Sequence, residues 1–163
     1  MVAADVGPLP HPTVGVGLGL GIRYEAWRLL LAGHVSRTQT LRAEESGEAF
    51  GAEVQRMTGH IVTCRGWRWP RFEVAPCVGL ALERVTATGF GDSVVPGSRR
   101  ATWPAPSAGA VGHWYAMESL AFFVGGTGYL QLARPRLVID GLGEIGQLAP
   151  AAVAATVGAE WIL

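Results

Sequence analysis

From Val14 to Arg23 the chain reads Val-Gly-Val-Gly-Leu-Gly-Leu-Gly-Ile-Arg, with a large apolar residue at every second position and glycine, then arginine, between them. Strict alternation marks a β-strand with one apolar face, because successive side chains of a strand point to opposite sides. Helix is a poor reading, since each interior glycine costs up to ~1 kcal/mol relative to alanine. The same period recurs along the chain. Trp27, Leu29, Leu31, Gly33 and Val35 oppose Arg28, Leu30, Ala32, His34 and Ser36. Met57, Gly59, Ile61 and Thr63 oppose Arg56, Thr58, His60, Val62 and Cys64. Val74, Val78, Leu80 and Leu82 oppose Cys77, Gly79, Ala81 and Glu83; Phe122, Val124, Leu130 and Leu132 oppose Thr127, Tyr129 and Gln131. Val153, Val157, Trp161 and Leu163 oppose Ala154, Thr156, Gly158 and Glu160, whereas Ala108 to Tyr115 is strand-like without a legible phase.

Turn and loop signals separate these runs: 7–12, 44–51, 89–106 and 134–150 are rich in Gly, Pro and polar residues. The alternate connections, Tyr24 to Trp27, Arg65 to Arg71 and Met117 to Ser119, are tight. With a first strand at Val2 to Val6, eight strands result, joined by alternating long and short connections. The pattern predicts one all-β domain over residues 1–163, an eight-stranded antiparallel up-and-down transmembrane β-barrel with both termini at the tight-turn end. Its first strand is short, as if truncated at the N-terminus.

Composition decides which side of the barrel is apolar. Hydrophobic residues make up 49% and charged residues 16%, against ~25% charged in ordinary soluble domains. Mean hydropathy is +0.27, yet no run of ~20 apolar residues exists that could form a spanning helix. The large residues Val16, Leu18, Leu20, Leu29, Leu31, Leu80, Leu82 and Val157 share the face opposite Gly, Ala and charge, and are predicted to face outward to lipid. The net charge is zero and every basic residue is a scattered arginine, which offers no clustered basic face for nucleic acid. Tyr24, Trp27, Trp67, Trp69, Phe72, Trp114, Tyr115 and Trp161 fall at the tight turns or the C-terminus. They are expected to form one rim, either an aromatic girdle at a membrane–water interface or a plug at the end of a soluble barrel.

The chain thus resembles the small outer-membrane β-barrel proteins of Gram-negative bacteria, the OmpA-type eight-stranded group, and its last strand, Val157-Gly-Ala-Glu160-Trp161-Ile-Leu163, is similar to theirs. The resemblance implies location in the bacterial outer membrane, periplasmic assembly, the lipid bilayer as partner, and contact with barrel-insertion machinery through the C-terminal strand. Two features depart from it. Those proteins usually end in Phe or Trp, whereas Leu163 ends this chain. Met1-Val2-Ala3-Ala4-Asp5 has neither the basic region nor the apolar core of an export signal, so a mature or truncated form is expected.

Candidate chemistry is sparse. Cys64 and Cys77 lie on the inner face and flank one tight turn, so they form either a disulfide, in an oxidising compartment, or two buried thiols. If they pair, the register sets Thr58 opposite Glu83, and Arg56 and Glu83 become diagonal neighbours. Strand phase places Arg23, Arg28, Arg56, Glu73, Glu83 and Glu160 in the lumen, where unpaired charge is costly and Arg–Glu networks are expected. The four histidines show no metal-ligand spacing, and the alternating glycines of 15–21 lack a phosphate-loop lysine. No catalytic, metal or cofactor residue is assigned. A structural or surface-display barrel without an open pore is the expected function. The alternatives are a barrel around a small apolar ligand and, more remotely, a lipid-acyl-modifying enzyme using His34 and Ser36.

Overall fold

The computed structural model describes residues 1–6, 11–45, 48–91, 97–133, 136–139, 143–147 and 149–162. The described residues form twelve strands, in order β1 (Val2–Val6), β2 (Thr13–Tyr24), β3 (Trp27–Ser36), β4 (Gln39–Glu45), β5 (Glu48–Arg65), β6 (Trp67–Arg68), β7 (Phe72–Gly91), β8 (Ser98–Met117), β9 (Leu120–Leu130), β10 (Arg136–Ile139), β11 (Gly143–Gln147) and β12 (Ala151–Trp161). β3 and β4 act as one interrupted strand, since both pair with β5, through Val35 with Met57 and Gln39 with Val54. From β1 the ring runs through β2, β3 with β4, β5, β7, β8, β9 and β12 back to β1, every pair antiparallel. The chain is therefore an eight-stranded up-and-down closed barrel. Closure removes the exposed edges that an open sheet of this size would carry.

Polarity is inverted relative to a water-soluble protein. Leu18 and Leu20 are 78% and 77% exposed, whereas Ala81, Ala105 and Ala121 in the interior are fully buried. All eight residues predicted to face outward are exposed. Small inner residues follow from the geometry of a narrow barrel, whose facing walls leave little room. Gly17 illustrates it: a Cβ there would collide with the carbonyl oxygen of Gly33 and with His34. The two-residue turn Glu25-Ala26 joins β2 to β3, and Glu25 adopts a φ of 52°, the left-handed conformation that tight hairpins require. β1 enters the wall at mid-height, where Val2 faces Val16 on one side and Val157 on the other.

Two expected loops are largely strand. β4 runs to Glu45 and β5 starts at Glu48, so 44–51 is mostly ladder; β7 reaches Gly91 and β8 starts at Ser98, so most of 89–106 is ladder too. Pairing of β8 with β9 ends at Ser107 and Tyr129, but β7 and β8 stay paired as far as Thr88 and Ser98. β4, β5, β7 and β8 consequently rise beyond the rest of the wall, packed on an inner cluster of Ala52, Val54, Val85 and Trp103. Pro104 and Pro106 read as loop signals but stand where β8 has no β9 neighbour, and an edge tolerates a residue without an N–H. Pro76 follows the same rule, one residue beyond the last β5–β7 pair at Cys64 and Cys77. The hairpin of β10 and β11 lies in the connection from β9 to β12, inside the expected 134–150 loop.

Candidate functional site

Two layers of charge cross the lumen. In the layer nearer the long connections, Arg56 on β5 meets Asp5 of β1 at 2.6 Å and Glu83 of β7 at 3.6 Å. Arg56, Asp5 and Glu83 are all at most 2% exposed. Gln131 donates to Glu83 at 3.2 Å and accepts the indole N–H of Trp103, which links β8 and the end of β9 to the layer. Ser36 closes it: its hydroxyl accepts the Arg56 N–H at 3.0 Å and donates to the Arg56 carbonyl at 3.1 Å.

At the tight-turn end, Arg28 of β3 binds both oxygens of Glu160 on β12, at 2.6 and 2.7 Å, and Glu73 of β7 at 3.1 Å. The Tyr115 hydroxyl accepts from Arg28 at 3.0 Å and donates to Glu73 at 2.6 Å. His113 lies 3.3 Å from Glu160, Arg23 lies 3.6 Å from Glu73, and the Arg68 guanidinium stacks 4.3 Å from the Tyr115 ring centre. Between the layers stand alanines and the His34–His60 pair, whose ring centres are 6.3 Å apart.

All six charges placed in the lumen by strand phase therefore fall in one of two clusters: Arg56 and Glu83 in one, Arg23, Arg28, Glu73 and Glu160 in the other. Sequence reasoning missed Asp5, His113, Tyr115 and Gln131 as members. Asp5 carried a readable signal, because it shares its face with Ala3 in the alternation of Val2–Val6. Tyr115 is a correction: it is 5% exposed and points into the lumen, not onto the aromatic rim. Odd-numbered residues of β8 point inward from Trp103 to Tyr115, a phase that the small residues Ala108, Gly109, Ala110 and Gly112 concealed. Tyr24, Trp27, Trp67, Trp69, Trp114 and Trp161 are exposed, around the turn-end connections and the last residues of β12. Trp114 stacks on Phe122 at 5.9 Å, and the Arg65 guanidinium lies over Trp27 at the same distance.

Cys64 and Cys77 are directly opposed across β5 and β7 and form a disulfide. With that register Thr58 faces Glu83 and Arg56 faces Val85, as the constant index sum of an antiparallel pair requires. Among the described residues, no group of three or more His, Cys, Asp or Glu side chains is placed to hold a metal.

No family model matches the chain, and no curated protein matches it. Among solved structures, Ail, the attachment invasion locus protein of Yersinia pestis, aligns with a TM-score of 0.55 at 12% identity, over 98% of this chain and 91% of that one. The N-terminal β-barrel domain of Pseudomonas aeruginosa OprF aligns at a TM-score of 0.43 and 14% identity, over 94% and 93% of the two chains. At such identities the likeness is one of architecture: the chain is an eight-stranded antiparallel β-barrel resembling small outer-membrane barrel proteins.

Proposed function

We propose that this protein is an integral barrel of the bacterial outer membrane with a structural or surface-display role and no open pore. The observation that carries the reading is the inverted polarity: exposed Leu, Val and Ile outside, buried charge and alanine inside. An outward apolar band suits lipid, and a lumen crossed by two hydrogen-bonded charge layers has no room for a water column. The exposed aromatics at the tight-turn end serve as the interfacial girdle on that side. The raised sheet of β4, β5, β7 and β8 is the part available for display, and the solved relative in fold is named for attachment and invasion. An apolar ligand would need an apolar lumen. A serine–histidine hydrolase would need a free hydroxyl, but Ser36 is committed to the Arg56 backbone in both directions.

Fractionation tests the proposal. The expressed protein is expected in the outer-membrane fraction, resistant to urea washing and released only by detergent. A monodisperse monomer in detergent-free buffer would overturn it.

A further inference from the structure

The apolar belt ends, on the side of β3, β5, β7 and β8, at a groove of about 370 Å³ lined by Val35, Gln55, Met57, Arg84, Thr86 and Arg100. Register explains its composition. Val35 pairs with Met57 and Met57 with Arg84, while Gln55 pairs with Thr86 and Thr86 with Arg100. Arg84 and Arg100 are thus diagonal neighbours on the outward face, both exposed. Among the described residues neither has a carboxylate partner. The outward acid on β5, Glu53, faces Thr88, one row nearer the loops. Below the groove, Gly33 and Gly59 face each other with no side chain on either, and a Cβ on Gly59 would touch nothing. Leu31, Ile61 and Leu82 surround this notch.

Depth places the arginines. Phe72 at the turn end and Arg84 lie on one strand, ~40 Å apart along it and ~30 Å along the membrane normal at a ~40° tilt. The apolar band of such barrels is ~25 Å tall, so the two guanidiniums stand just past its far edge, at headgroup depth. Paired guanidiniums there match a phosphate in charge and in donor geometry. The notch of bare backbone, under Val35 and Met57 and beside Leu82 at the β3–β5 side of the groove, matches a hydrocarbon chain.

We propose that Arg84 and Arg100 bind the phosphate of an acylated anionic lipid in the leaflet at the long-connection end, with one acyl chain lying over Gly33 and Gly59. The site rests on the membrane reading given above.

The test is lipid retention by the refolded protein released from detergent micelles, read by native mass spectrometry, with dioleoyl phosphatidic acid as probe. Wild-type protein is expected to retain phosphatidic acid in preference to dioleoyl phosphatidylcholine. R84Q/R100Q should weaken that retention about thirtyfold, from ~1 kcal/mol per arginine. The equal-charge control R37Q/R99Q, outside the groove, should change it by no more than about twofold. G59L, which fills the notch and leaves both arginines, should also lower it. Retention unchanged in R84Q/R100Q overturns the site, and retention unchanged in G59L overturns the acyl groove. Displacement by inorganic phosphate alone overturns a lipid as occupant. Protein that is monodisperse without detergent fails the membrane reading itself, whereas a detergent-requiring barrel with a flat R84Q/R100Q result fails only this proposal.

Discussion

Arg56 holds two carboxylates within the barrel, and it is their only cation within ion-pair distance among the described residues. Its replacement by methionine leaves Asp5 and Glu83 buried and uncompensated, and is expected to lower stability by ~3–5 kcal/mol. E83Q leaves the 2.6 Å Asp5 contact in place and should lose clearly less. Urea unfolding of the refolded protein in micelles measures both; equal losses would mean that the three side chains do not act as drawn. Glycines differ in the same residue-by-residue way. Gly17 sits against the Gly33 carbonyl, so G17V should destabilise by ~1–3 kcal/mol through overpacking. Gly126 points outward, where a Cβ would touch nothing, so G126V should be neutral or stabilising in the same assay, as expected for a β-branched residue in a strand.

At the scale of the strand, depth and face set the effect of a change. Leu20 and Leu80 lie on the outward face within the belt, so arginine at either should destabilise the inserted barrel by ~2–4 kcal/mol. The same substitution at Thr102, outward but level with Arg84 at the edge of the belt, should cost ~1 kcal/mol or less. A depth-independent penalty would contradict the position of the belt. The β5–β7 hairpin adds a covalent constraint. The Cys64–Cys77 bridge spans 13 positions, and C64S/C77S should lose ~2–3 kcal/mol of unfolding free energy through the entropy of the open chain. Reduction of wild-type protein should reproduce that loss, and no change on reduction would show the bridge to be energetically idle.

For the molecule as a whole, the two charge layers cross the lumen from wall to wall. Reconstituted into planar bilayers, the protein is expected to pass no steady current. A reproducible stepwise conductance would mean that the layers open. The existence of the tube was legible in the sequence, because a period of two over six runs marks strands, and outward Leu and Val opposite inward Gly, Ala and Arg favour lipid over a soluble barrel. Register was legible at one hairpin, where two inward cysteines let a single pairing set Thr58 against Glu83. The rest needed tertiary structure for identifiable reasons. Which arginine meets which carboxylate depends on strands distant in the chain: Arg56 finds Asp5 across the lumen, and Arg28 finds Glu160 through a contact 132 residues away. Alternation states that a side chain points inward, not at what height it stands. Prolines 76, 104 and 106 signal a turn locally, and only the staggered ends of the neighbouring strands make those positions edges that can hold them. Sequence by itself thus determined the wall and its two faces, which depend on neighbours along the chain, while the fold decided the ion-pair layers, the raised sheet and the Arg84–Arg100 groove, because each joins residues that only barrel closure brings to one height.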